Sequence, residues 1–166
     1  ICKFPERIFW SPLPPDLHRK TNRDLDLRSK IAIGFPGSAR ENKGYDSIGK
    51  IVEQLKREGV NFDFFIQQAN FPWGGYSASR QAIKNIAGGN FIELESVMSV
   101  TDYERLFDLY DVIFLPYKVR EYADADSGIL YQAADWEVPI ACPPGLGFSD
   151  EAFSYGIGMN LEEAPT

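Results

Sequence analysis

The chain has 166 residues, 44% of them hydrophobic and 25% charged, enough for one globular domain whose core needs no covalent staples. A formal net charge of -7 opposes nucleic acid and anionic lipid surfaces as general partners, so any anion must be held by a local site. Cys2 and Cys142 are too few and too far apart for a disulfide framework, and no apolar run approaches the roughly 18 residues of a membrane span. With no basic-then-apolar leader at its start, the sequence predicts a cytoplasmic or cytoplasm-facing protein.

The opening "ICKFPERIFWSPLPPDLHRK" is dense in proline. Pro12, Pro14 and Pro15 remove backbone donors and favour extended chain, so residues 1–29 are expected to form an interdomain connector with a short strand near 8–10. Residues 30–166 then alternate two patterns. Short apolar runs occur at 31–35 (IAIGF), 62–67 (FDFFIQ), 90–94 (NFIEL), 111–117 (DVIFLPY) and 138–142 (VPIAC), and their near-continuous apolarity predicts strands covered on both faces.

Helical stripes separate these runs. Ile48, Ile51, Val52 and Leu55 recur at i, i+3, i+4 and i+7, and Gly59 is placed to stop that helix. Similar stripes are Ala78, Ala82, Ile83 and Ile86, ended by Gly88 and Gly89; Tyr103, Leu106, Phe107 and Tyr110, begun at Thr101 or Asp102; and Ile129, Leu130, Ala133 and Ala134. A last helix is expected to begin at Asp150 and Glu151. The alternation predicts right-handed βαβ units, hence an α/β, Rossmann-like, doubly wound parallel sheet with helices on both faces. Ligands of such sheets bind beyond the carboxyl ends of the strands, which puts the loops after Gly34, Gln67, Leu94, Leu115 and Cys142 on the functional rim.

Two stretches on that rim carry chemistry. "GFPGSARENKG" (34–44) matches neither the dinucleotide fingerprint nor the Walker run. It does place Arg40 and Lys43 immediately before a helix, and an arginine fork beside a mobile ammonium suits a diphosphate; solvated surface charge is the plain alternative. In "EYADADSGILYQAADWEVPIACPPGLGFSDE" (121–151), Asp126 or Ser127 can cap a helix whose first amides, from Gly128 and Ile129, are open to an anion. An ordinary capped helix is the alternative there, favoured by the negative charge of Asp124 and Asp126. His18 has no companion ligand, and Trp73 suits either a stacking role or a loop anchor.

Lys43-Gly44 after the first strand, the run from Asp111 to Pro116, and "DADSGILYQAADWEVPI" together resemble the C-terminal nucleotide-sugar-binding domain of GT-B-fold glycosyltransferases, particularly the retaining family 4, over about residues 31–158. Three positions depart from that family's pattern: Asp124 and Gln132 stand where it has glutamates, and Glu137 where it has a glycine ahead of Pro139. The resemblance implies one half of a GT-B fold, joined to an N-terminal acceptor-binding domain of the same protein. It implies a glycosyltransferase of glycan or cell-surface polysaccharide synthesis, with a UDP- or GDP-sugar as donor substrate, no other cofactor and no metal. By the same resemblance, Arg40 and Lys43 would neutralise the leaving diphosphate on a turn containing Gly37, and Asp124 would face the donor sugar. Ser127, Gly128 and Ile129 would contact the distal phosphate or sugar, Gln132 would accept from a ribose hydroxyl, and Ser96, Val97 and Met98 would frame the base. Asp124 and Gln132 also motivate a catalytically inactive GT-B-like binding module. A nucleotide-sugar epimerase or hydrolase is a further alternative.

Overall fold

The apolar runs become strands β1 (Ile31–Phe35), β2 (Phe62–Gln67), β3 (Phe91–Leu94), β4 (Val112–Phe114) and β5 (Ile140–Cys142). A sixth, β6 (Gly158–Asn160), is absent from the sequence expectation, because three residues reading Gly-Met-Asn carry neither apolar alternation nor β-branching. The computed structural model describes residues 29–37, 40–67, 77–95, 97–154 and 156–161. The connector expected at the start, with His18, therefore lies outside the described residues except for Ser29, as do Trp73 and Ser96.

The strand order is β3-β2-β1-β4-β5-β6, and every neighbouring pair is parallel. Parallel neighbours need crossovers, supplied by helices α1 (Ile48–Arg57), α2 (Ser77–Ala87), α3 (Val100–Leu109), α4 (Val119–Tyr122), α5 (Gly128–Asp135) and α6 (Ser149–Ser154). The short α4 has no counterpart in the sequence expectation. The order reverses between β1 and β4, which opens a crevice at the carboxyl ends of those two strands.

Two apolar layers sandwich the sheet. On one face Ile33, Phe35, Phe64 and Ile66 pack with Ile48 and Val52 of α1 and Ile83 of α2. On the other, Ile113, Leu115 and Ile140 pack with Leu106, Phe107 and Tyr110 around α3, and with Leu130 and Ala133 of α5. Each predicted stripe contributes to these layers, but Ala82 of the α2 stripe is exposed, and the side chain of Ala78 lies outside the described residues. Gly34 belongs to this second layer for a steric reason: a Cβ there would come within 2.7 Å of the Tyr110 ring. Asp111 ties the amino ends of β1 and β4 together, its carboxylate accepting from the Ala32 N–H at 2.7 Å and its own N–H donating to the Ala32 carbonyl at 2.8 Å.

Helix ends follow local chemistry. Gly59 takes φ 72° just beyond α1, and Gly88 to Asn90 close α2 with a 3-10 turn. The start of α3 lies earlier than Thr101 or Asp102: the extended Ser99 is its cap, and the Ser99 hydroxyl accepts from the Asp102 N–H at 3.1 Å. Helix α6 begins at Ser149, one residue before the expected acid pair.

Candidate functional site

In the crevice between β1 and β4, a cavity of about 300 Å³ lies between two walls. The first is the 3-10 turn Glu41–Lys43, which follows β1 and contributes Lys43. The second runs from Asp126 to Gln132, across the amino end of α5, with Tyr117 and Tyr122 between the walls.

Tertiary contacts hold the first wall. Gly44 has φ 73°, and a Cβ on it would lie 1.7 Å from the Pro116 carbonyl oxygen, so the turn seats against the chain leaving β4 only because the residue is glycine. The Lys118 N–H donates to the Asn42 carbonyl at 3.0 Å. The Lys118 ammonium bridges Glu41 at 2.9 Å and Asp46 at 3.1 Å. These contacts engage the turn's two carboxylates with Lys118 and leave Lys43 without a carboxylate partner among the described residues.

The Lys43 ammonium instead lies 5.3 Å from the centre of the Tyr117 ring. It also sits against Gly37, where a Cβ would be only 3.2 Å away. The Gly37 N–H is taken by Gln67 Oε1 at 2.8 Å. Burial, and then the nearby Arg40 guanidinium, hold the Lys43 pKa below the ordinary lysine value of 10.5. Both effects penalise an unaccompanied ammonium, and an anion entering the cavity would relieve them.

The second wall is organised mainly from its own sequence. Asp126 accepts from the Ser127 N–H at 2.7 Å and from the Tyr131 hydroxyl at 2.8 Å, so both carboxylate oxygens are engaged. Ser127 occupies the cap position of α5 without a side-chain capping bond, and the Leu130 N–H turns back to the Ser127 carbonyl at 2.9 Å. The N–H groups of Gly128 and Ile129 meet no acceptor among the described residues, as the first amides of an uncapped helix should. Farther along, Gln132 Oε1 accepts from the Tyr103 hydroxyl at 3.1 Å. Tyr117 and Tyr122 stack with centroids 4.6 Å apart. The Tyr117 hydroxyl is buried beside Ser127 without an aligned hydrogen bond, and burial pushes its pKa up to about 12.

Of the residues singled out in the sequence, the fold brings Lys43, Ser127, Gly128, Ile129 and Gln132 to this cavity, with Gly37 beside Lys43 but outside the lining. Arg40 is exposed, close enough to act on Lys43 but outside the cavity lining. Asp124 is exposed and also outside it. Val97 is 73% exposed, Met98 packs against the α3 layer, and neither lines the cavity. Sequence reasoning missed Tyr117, Tyr122 and Lys118. Tyr117 had a usable signal, since it follows a strand that ends at the switch in strand order; Lys118 had none, because its partners lie 77 and 72 positions away.

A larger cavity of about 700 Å³ runs along α1, where Ile51, Leu55 and Phe114 mix with Lys50 and Glu58. Its Lys118 is already held by Glu41 and Asp46, and it includes no helix-start amides like those of Gly128 and Ile129, so the smaller cavity at the strand-order switch is the candidate site on chemical grounds.

No protein-family model matches the sequence, and no curated protein matches it significantly. Solved structures do match in fold. An alpha,alpha-trehalose-phosphate synthase (UDP-forming) from Burkholderia xenovorans, in complex with glucose-6-phosphate, superposes with a TM-score of 0.58 at 12% identity, covering 80% of this chain and 33% of that one. The C-terminal domain of a glycosyl transferase group 1 family protein from Francisella tularensis superposes with a TM-score of 0.54 at 14% identity, covering 75% of this chain and 63% of that one. A sucrose-phosphate synthase from Thermosynechococcus elongatus gives 0.55 at 13%, covering 76% and 31%. The chain spans about a third of the length of the two synthases. Its single parallel sheet flanked by helices is that of the C-terminal domain of a GT-B-like fold.

Proposed function

We propose that this chain is the donor-binding domain of a glycosyltransferase, taking a nucleotide-diphosphate sugar and passing the sugar to an acceptor held by an N-terminal domain of the same protein. The observation that carries the reading is the meeting of Lys43 with the unpartnered Gly128 and Ile129 amides in one cavity at the strand-order switch. Negative charge grows on the diphosphate as the sugar leaves, so a fixed ammonium and fixed amide dipoles stabilise the transition state more than the ground state. Arg40 adds long-range positive potential from the rim, and charge neutralisation is assigned to these two cations rather than to a metal.

A retaining outcome, a UDP- or GDP-sugar donor and a role in glycan or cell-surface polysaccharide synthesis complete the proposal. The printed association of trehalose-6-phosphate synthase with glycosyltransfer with retention supports the first of these by analogy of fold. A cytoplasmic location fits the use of a nucleotide sugar; among the described residues, no helix is long and apolar enough to cross a membrane.

Isothermal titration of the chain with UDP and with GDP tests the reading. Binding of either, reduced at least about tenfold in the Arg40→Ala/Lys43→Ala double variant, is the expected result for loss of two charge-assisted contacts. Unchanged affinity in that variant would remove the site. Asp124, exposed and away from the cavity, favours a second reading in which the domain binds but does not catalyse. Equal sugar transfer by the full-length protein and its Asp124→Ala variant would show that this carboxylate takes no part.

A further inference from the structure

The strongest acceptors of the cavity are each already used once inside the protein. Its carboxylate, Asp126, has both oxygens engaged by the Ser127 N–H and the Tyr131 hydroxyl. The Gln132 carbonyl is engaged in turn by the Tyr103 hydroxyl, which comes from α3. With the hydroxyl donating to the carbonyl, the NH₂ group is the end of the amide turned to a ligand. What remains for a ligand is the Lys43 ammonium, the two hydrogens of Gln132 Nε2, the Gly128 and Ile129 N–H groups, and the hydroxyls of Ser127, Tyr117 and Tyr122, each of which can donate to a phosphate.

A ribose diol and a diphosphate ask different things of such a surface. Strong recognition of a diol comes from a carboxylate or carbonyl that accepts its hydroxyl protons, and a donor surface grips it only weakly. A diphosphate is acceptor-only, and every unused group here is a donor for it. We infer that Gln132 is a specificity-determining residue and Tyr103 its positioning residue, and that together they make this cavity recognise the diphosphate end of its ligand with little discrimination for the ribose hydroxyls. The inference rests on the donor-binding reading above and goes further in naming which part of the donor carries affinity.

The test is calorimetry on the chain with pyrophosphate, UDP and 2′-deoxy-UDP, repeated in Gln132→Glu and Tyr103→Phe. The expected wild-type result is UDP and 2′-deoxy-UDP within about tenfold of each other, roughly the most a neutral hydrogen bond is worth. Gln132→Glu puts a carboxylate against the phosphates and should weaken pyrophosphate about tenfold or more, while opening the gap between UDP and its deoxy analogue. Tyr103→Phe frees the carbonyl, so pyrophosphate should weaken a few-fold as discrimination for the 2′-hydroxyl rises. Loss of fold would not produce that split. Wild-type preference for UDP over 2′-deoxy-UDP beyond about tenfold, or pyrophosphate affinity unaffected by Gln132→Glu, overturns this inference and leaves the donor-binding reading standing. Failure of all three ligands to bind overturns both.

Discussion

The two walls of the cavity are built by opposite means. The Asp126–Gln132 wall is largely self-contained: Asp126 is satisfied by a residue one position away and another five positions away, and the unpartnered amides follow from where the helix starts. The Glu41–Lys43 wall has its own 3-10 backbone bonds but no side-chain cap. It is held by the residues after β4, through the seat of Gly44 on Pro116, the Lys118 N–H on Asn42, and the Lys118 ammonium between Glu41 and Asp46. Amide donors can therefore be placed by local sequence, whereas placing a cation in an acidic chain requires a distant residue to keep nearby carboxylates away from it.

The largest expected effect comes from breaking the tethered wall sterically. Gly44→Ala must move the turn off Pro116 and also strains a φ of 73°, which should cost roughly 2–4 kcal/mol in urea denaturation, together with diphosphate binding. If that variant keeps wild-type stability, the clamp is not what holds the turn.

Lys118→Met separates the electrostatic part of the tether from the steric part. It frees Glu41 and Asp46 to compete for Lys43, so diphosphate affinity should fall about tenfold in low salt. Stability should change by no more than about 1 kcal/mol, as befits exposed ion pairs. A triple variant that also carries Glu41→Gln and Asp46→Asn should recover most of the affinity, because the competing carboxylates are then gone.

A third test works behind the self-contained wall. Glu137, just beyond α5, has φ 53°, the left-handed backbone that glycine adopts without penalty. Glu137→Gly should raise stability by about 1 kcal/mol without altering diphosphate affinity, which would show that this wall tolerates change at its far end. A fall in stability would mean that the glutamate side chain makes a compensating contact.

The smallest effect is a pH dependence. Because burial and Arg40 lower the Lys43 pKa, the ammonium is intact below that lowered value and is lost as pH rises through it, before an ordinary lysine would titrate. Affinity should decline correspondingly early on the alkaline side. Lys43→Arg, measured in the same buffers so that the ligand's own titration cancels, should keep affinity level over that range.

Much of the sheet was legible because strands covered by helices carry near-continuous apolar runs; IAIGF is buried on both faces, FDFFIQ buries alternate residues, and FIEL at the sheet edge is half-buried. The strand Gly158–Asn160 was not, since its place at the sheet edge comes from pairing with Ile140–Cys142 and not from its own residues. At the site, Lys43, Gly128 and Ile129 could be picked out by their position at the start of helices. Lys118 could not, and Tyr103 showed only as a member of a core stripe, because the bonds that tie a hydroxyl or an ammonium to a distant element leave no periodic trace.

By itself the sequence determined the alternation of buried strands and one-sided helices, and with it a parallel sheet whose ligands bind at the carboxyl ends of its strands. Those are consequences of short-range periodicity and of the need to bury apolar area. Only the tertiary structure decided which groups at that rim are already engaged and which are left for a ligand. Hydrogen-bond and charge satisfaction depends on residues brought from far along the chain, and each donor or acceptor used inside the protein is lost to anything it binds.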